Sequence, residues 1–253
     1  MSDYEKFYYS IAGSSKKWSR PEEEEALVRI NNAIPQSGSM LEIGCGTASI
    51  TPFLRSDINY IGIDVSDFAV QQAQTSVRPN TKVILLPAEK LPFPNQSFDF
   101  IMALHSLEHV SNPRKSLSEV LRVIKEHGSI YIRGPNFDWP LSTPNAIRHR
   151  GRLYHIGFRI KSVLLYITRL FGYYSFRMVK QNYTEATGKY EKPDDDLRHV
   201  MSADEMIGYF KRNGFHISYI DPVPSNISRI KKLVTYLPGL HYYGRGIDVM
   251  LSR

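Results

Sequence analysis

The sequence predicts an α/β fold: a doubly wound, mostly parallel sheet of seven strands with a helical lid inserted after the fifth. Three observations predict it. Short apolar runs alternate with stretches of helical periodicity, which implies crossover connections and a sheet covered on both faces. A glycine turn follows the first strand and opens the next element. One stretch, residues 137–196, breaks the alternation and contains a run, 139–184, that has basic residues but no Asp or Glu.

The elements follow in order. Ser19-Arg20-Pro21-Glu22 reads as a helix start, with serine capping free amides, Glu22 reaching back and proline in the first turn. The acids Glu22–Glu25 then sit at the positive end of the helix dipole. Ser39–Ile43 reads as a strand, Thr47–Arg55 as a helix, Tyr60–Asp64 as a strand and Asp67–Ser76 as a helix. Lys82–Leu86 and Phe98–Leu104 read as strands, the latter entered through the turn residues 94–97. Arg114–Lys125 is a helix with Leu117, Val120, Leu121 and Ile124 on one face. His127-Gly128 ends it, and Ser129–Ile132 is the fifth strand. Near the C-terminus, Ser202 caps a helix through Lys211 that Asn213-Gly214 stops. Phe215–Ile220 and Gly246–Leu251 read as strands closing one sheet edge as a hairpin.

Composition narrows the function classes. The single cysteine, Cys45, rules out an intrachain disulfide and removes any need for an oxidising compartment. Met1–Ser10 lacks the apolar core of a signal peptide. No apolar run approaches the ~20 residues that a membrane-spanning helix needs. A cytoplasmic location is the expectation. From Trp139 to Thr184 there is no Asp or Glu, and eight Lys and Arg residues fall there, against a net charge of +7 for the whole chain. Attraction to an anionic partner is therefore expected from that stretch. Within it, Ile156, Ile160, Val163, Leu164, Ile167, Leu170 and Phe171 share one helix face, while Arg159, Ser162, Tyr166 and Arg169 share the other.

Leu41-Glu42-Ile43-Gly44-Cys45-Gly46-Thr47-Ala48 lies between strand and helix. Glycines there let the backbone turn sharply and approach a ligand. Asp64 ends the second strand, near the ~20-residue offset at which an acid meets ribose hydroxyls in such folds. A carboxylate accepts from both hydroxyls. Nicotinamide enzymes use a similar loop. Further stretches sharpen the reading: Ala88-Glu89-Lys90-Leu91-Pro92-Phe93, Ser97-Phe98-Asp99-Phe100 and Leu107-Glu108-His109-Val110, then Arg122-Val123-Ile124-Lys125, Gly134-Pro135-Asn136 and Ser202-Ala203-Asp204-Glu205-Met206 before Gly214-Phe215. As an ordered set over 38–136 and 199–221 they resemble class I S-adenosylmethionine-dependent methyltransferases, whose sheet is Rossmann-like.

That resemblance implies S-adenosylmethionine as cofactor. Gly44 and Gly46 would border its methionine part, Asp64 its ribose, and Ala88 and Glu89 its adenine, with Glu42 and Leu104 also binding the cofactor. One departure stands out: the family often has Asp before the Ala-Glu pair, and here that position is Pro87. Residues 1–136 would then form the N-terminal helix and cofactor-binding half, 137–196 a basic, aromatic-rich lid, and 197–253 the completion of the sheet.

His105-Ser106-Leu107-Glu108-His109 matches the letters H-x-x-E-H of one metalloprotease class, but it follows a buried strand rather than lying on a helix. Ubiquinone-biosynthesis O-methyltransferases look similar here, with Glu where His105 stands, and in them these groups have been linked to a divalent ion. Histidine is a poorer ligand for a hard cation, so no metal is assigned. Glu108 and His109 are read as braces for the loop. His105 is the candidate general base, because the carboxyl end of that strand borders the ligand crevice.

Methyl transfer from a sulfonium needs mainly in-line placement of a nucleophile, and an oxygen acceptor also needs its proton removed. Arg148, His155 and Tyr183 of the lid are the candidate acceptor-binding residues, suited to an anionic small molecule, lipid-linked compound or glycan. A basic amphipathic helix also suits an anionic membrane surface. No nucleic-acid module is recognisable. Two other classes fit the loop: a nicotinamide-dependent oxidoreductase and a non-catalytic S-adenosylmethionine-binding protein.

Overall fold

The computed structural model describes residues 21–75, 78–192, 194–221, 236, 237, 240 and 246–253. The expectations for Met1–Ser10, Ser19, Arg20 and Ser76 lie outside them. Helix α1 (Pro21–Ala33) begins at the proline and leads to β1 (Ser39–Ile43), β2 (Asn59–Asp64), α2 (Asp67–Gln74) and β3 (Thr81–Leu85). Then follow β4 (Phe98–Leu104), α3 (Pro113–Val123), β5 (Ile124–Gly134), α4 (Arg152–Leu170), β6 (Arg177–Met178), α5 (Tyr183–Thr187), β7 (His199–Val200), α6 (Ala203–Arg212), β8 (His216–Ile220) and β9 (Ile247–Ser252).

Seven strands form one sheet in the order β3-β2-β1-β4-β5-β9-β8, and β6 pairs with β7 in a separate antiparallel ribbon. Strand β1 runs parallel to both β2 and β4, with Leu41 opposite Ile61 on one side and Ile101 on the other. The chain leaves β1 towards β2 and β3, then returns to build β4 on β1's other flank. That reversal makes a topological switch point, where an open parallel sheet leaves a crevice beyond its strand ends. Most residues of β1, β2 and β4 are buried, so the strands read as largely apolar runs.

The chain divides into two compact units. One comprises Met1–Ser106, Arg114–Ile132 and Met250–Arg253, the other Leu107–Pro113 and Arg133–Val249. The first holds the glycine turn and the ends of β1, β2 and β4. The second holds α4 and α6.

Two elements differ from expectation. Residues 47–55 do not form an α-helix: turns lead into one short 3-10 turn, Thr51–Phe53. Pro52 has no amide hydrogen to donate, and Ala48 is left-handed at φ +53°. The helix expected to Lys125 stops at Val123, and β5 starts at once at Ile124. Gly128, read as a helix stop, lies inside that strand, where a Cβ would come within 2.6 Å of Ile124 Cδ1 and 3.1 Å of the Asp99 carbonyl oxygen. Close approach, not termination, explains that glycine.

The orientation of α4 is not readable from its periodicity alone. Leu153, Ile156, Ile160, Leu164 and Ile167 are exposed. Phe158 is buried, and of the polar face Ser162, Tyr166 and Arg169 are half-buried while Arg159 is exposed. Arg169 donates to Ser202 Oγ, and its Nη2 donates to the Asp138 carbonyl at 3.1 Å. Arg177 donates to Ser162 Oγ and lies 3.4 Å over the Phe158 ring. A buried guanidinium needs a carboxylate, and buried Asp138 supplies it, 3.5 Å from Arg169.

Candidate cofactor crevice

The crevice is built by backbone geometry. Gly44 and Gly46 sit at φ +68° and +52°, a region that residues with a Cβ rarely enter. At Gly44 a Cβ would overlap that of Ser106. Ser106 in turn donates from Oγ to the Ile43 carbonyl at 2.7 Å, so the turn after β4 is stitched to the end of β1. The amides of Gly44 and Cys45 both donate to the Ile63 carbonyl, at 2.8 and 3.0 Å. Gly62 of β2 makes room for this turn, since a Cβ there would lie 2.7 Å from Cys45 Sγ.

Asp64 holds the loop to the end of β2. Its Oδ2 accepts from the Gly46 amide at 2.8 Å, and its Oδ1 accepts from the Ser66 amide at 2.9 Å. Each carboxylate oxygen retains acceptor capacity beyond one such bond. Leu86 N–H donates to the Asp64 carbonyl at 2.8 Å and brings the turn after β3 to the same strand end. Ala88 is buried and Glu89 half-buried in that turn. Arg122 of α3 clamps the following stretch: it donates to the Leu91 and Phe93 carbonyls at 2.9 and 2.7 Å and pairs with Glu119 at 2.8 Å. Glu119 accepts from the Leu91 amide at 2.7 Å.

Glu42 accepts a hydrogen bond from the Tyr60 hydroxyl in a buried cluster beside Cys45. Burial raises both the Tyr60 hydroxyl and the Cys45 thiol far above their ordinary ranges, with the Glu42 charge adding to each. Cys45 is therefore a thiol and not a nucleophile. Tyr60 and Ser106 were not singled out from the sequence. Tyr60 looks like any strand aromatic, and nothing marks Ser106 before the two loops are seen together.

Leu104 is half-buried at the end of β4, and His105 follows it, exposed and left-handed at φ +51°. Histidine enters that region more readily than branched residues do. Leu107–His109 form one 3-10 turn, so the H-x-x-E-H letters do not share an α-helix face. Glu108 is buried, its Oε1 3.9 Å from His109 Nε2, while His109 Nδ1 lies 3.5 Å from Asp196. Burial pushes the Glu108 carboxyl up to about 7, His109 opposing and Asp194 and Asp196 reinforcing.

The three lid candidates lie in the second unit. Arg148 pairs with Glu191 at 3.0 Å and with Asp195, and stacks 3.4 Å over the Tyr183 ring. Tyr183 donates to Glu191 at 2.9 Å. These two thus form one cluster with acids from beyond Thr184. His155 is half-buried on α4, edge-on to Tyr154.

The sheet order and the glycine crevice agree with a family match: residues 41–132 fit the model of a methyltransferase domain. Residues 41–132 carry a methyltransferase domain. This methyltransferase domain is 38% identical over 110 residues to an uncharacterised protein of Methanocaldococcus jannaschii, covering 44% of this chain and 49% of that one. An O-methyltransferase of Aspergillus nomiae is 27% identical over 156 residues, or 55% of this chain and 69% of its own length. The chain thus spans about half the length of the first of these relatives. In overall fold it resembles an S-adenosylmethionine-dependent methyltransferase from Aquifex aeolicus, with TM-score 0.52 and 16% identity over 94% of this chain and 95% of the other. The methyltransferase domain's matched region includes the turn after β1, Asp64, Glu89 and His105. It ends before α4. Among the described residues no helix is long and apolar enough to cross a membrane.

Proposed function

We propose that the protein is an S-adenosylmethionine-dependent methyltransferase that passes the methyl group in line to an oxygen of a small-molecule, lipid-linked or sugar acceptor. The observation that carries this reading is the left-handed turn at Gly44 and Gly46, tied to the Asp64 carboxylate at the switch point between β1 and β4. The crevice fits the cofactor's needs: bare backbone for close approach, and a carboxylate at the end of β2 for a diol. The cofactor would supply an electrophilic methyl group on a sulfonium with a neutral leaving thioether.

The chain's own residues would do the rest. Asp64 holds the sugar, the glycine turn admits the methionine portion, and Ala88 with Glu89 flank the base. His105 takes the proton from the acceptor hydroxyl, a task suited to an imidazole near neutral pH. The likeness to the Aspergillus nomiae O-methyltransferase supports an oxygen acceptor.

Thermal shift with S-adenosylhomocysteine, NAD and no ligand tests the cofactor. The expected result is stabilisation by the first alone, and stabilisation by NAD alone would replace the reading with an oxidoreductase. Transfer of radiolabelled methyl to pooled metabolites and lipids tests the reaction. His105→Gln is expected to lower turnover by roughly 10²-fold or more while leaving S-adenosylhomocysteine affinity unchanged. Unaltered turnover would remove His105 from the chemistry.

A further inference from the structure

Helix α4 presents its apolar stripe outwards. Leu153, Ile156, Ile160, Leu164 and Ile167 of the helix, with Phe171 just after it, recur at spacings of three and four residues, so they form one continuous line. They are exposed, from 44% at Ile167 to 86% at Leu153. A helix in water ordinarily turns such a line inwards. Here the inward face is taken by Phe158, Ser162 and Arg169, held by Arg177, Ser202 and Asp138. The outward line therefore serves something other than the core of its own unit.

Its borders identify the partner. Seven of the eight basic residues of this stretch fall into two sets, and the eighth, exposed Lys180, lies beyond the helix. Arg148, Arg150, Arg169 and Arg177 are spent internally, on Glu191 and Asp195, on the Lys180 and Gln181 carbonyls, on Asp138 and Ser202, and on Ser162. Arg152, Arg159 and Lys161 are exposed and make no ion pair among the described residues. At 100° per residue, Arg152 and Arg159 flank the apolar line on one side and Lys161 on the other. No acidic residue lies between Trp139 and Thr184 to oppose them. An apolar line rimmed by unpaired cations on both sides, on a helix not apolar enough to span, is the arrangement that lies in the plane of a bilayer surface. A second copy of the chain is a poorer occupant, because a two-fold contact would bring these cationic rims together.

We propose that α4 is a membrane-surface helix that docks the protein on anionic lipid, Leu153, Ile156, Ile160, Leu164, Ile167 and Phe171 entering the acyl boundary while Arg152, Arg159 and Lys161 meet the headgroups. Docking through α4 does not depend on methyl transfer.

The test is co-sedimentation of the full chain with vesicles of phosphatidylcholine, alone or with 30% phosphatidylglycerol as a chosen probe composition. Binding is expected to the mixed vesicles, to weaken with salt, and to be slight on phosphatidylcholine alone. Each Lys or Arg near an anionic surface contributes on the order of fivefold in partition, so Arg159→Gln with Lys161→Gln should lower binding roughly twentyfold. Ile160→Glu with Leu164→Glu should abolish it. Circular dichroism and S-adenosylhomocysteine thermal shifts of both variants should match the parent. That keeps a failed cofactor assignment separate from a failed membrane assignment. Equal binding to both vesicle types would overturn the proposal. So would unchanged binding by the Glu variant, or a dimer in light scattering that the Glu variant dissolves while vesicles are ignored.

Discussion

The crevice after β1 and the two faces of α4 are both conspicuous in the sequence, yet only the crevice has its geometry written in its residues. The crevice depends on local backbone chemistry. Gly44 and Gly46 take left-handed conformations that their missing side chains permit, and Asp64 reaches Gly46 from the neighbouring strand. The direction of α4 depends on partners distant in sequence. Asp138 and Ser202 decide which of its two faces is buried. Periodicity finds an amphipathic helix but does not say which face the rest of the chain can satisfy.

The sharpest way to break this comparison is to remove the distant partner. Asp138 is buried, accepts from Asn136 Nδ2 at 3.0 Å and from the Ser202 hydroxyl, and faces Arg169. Asp138→Ala strands a mostly buried guanidinium and should cost about 3–5 kcal/mol in urea denaturation. A loss below about 1 kcal/mol, within the range of an ordinary surface substitution, would show that Asp138 does not fix the helix face.

The local counterpart is Gly44→Ala. A left-handed alanine overlapping Ser106 should cost roughly 2–4 kcal/mol and weaken S-adenosylhomocysteine binding. Adding Ser106→Gly should recover part of both losses in the same thermal-shift assay. No recovery would mean that the overlap is not the cause.

Glu108 sharpens the contrast through pH. Its carboxyl keeps its proton to about 7 when folded, against 4.5 ordinarily. A raised folded-state value gives stability that is fully present below pH 4.5 and lost as pH rises through 7. Glu108→Gln should therefore remove a decline on the order of 2–3 kcal/mol over that range and be nearly neutral at pH 4.5. Buried His199 works in the opposite sense: its folded value is lowered to about 4, so its contribution is present above 6.5 and lost as pH falls towards 4. A variant whose pH–stability curve parallels the parent's would remove Glu108 as the cause.

Much of the sheet was legible because its strands are buried on both faces and bounded by turn residues. Ser39–Ile43 and Phe98–Leu104 begin and end where the apolar runs do. The failures have physical causes. Residues 47–55 carry helix-compatible side chains, but Pro52 and left-handed Ala48 break the ladder. Gly128 looks like a helix stop because its packing against Ile124 and Asp99 is invisible in one dimension. In the crevice, Gly44, Gly46 and Asp64 were legible from spacing, whereas Ser106 acquires meaning only when β4 lies beside β1.

The proposed function turns on Asp64 holding the cofactor's sugar. Isothermal titration of S-adenosylhomocysteine into the parent protein and Asp64→Ala tests it most directly. The loss of a charged acceptor from a mostly buried site predicts a fall in affinity of at least roughly tenfold to a hundredfold, with Asp64→Asn in between. An Asp64→Ala protein that keeps its fold and binds S-adenosylhomocysteine as tightly as the parent would contradict the account.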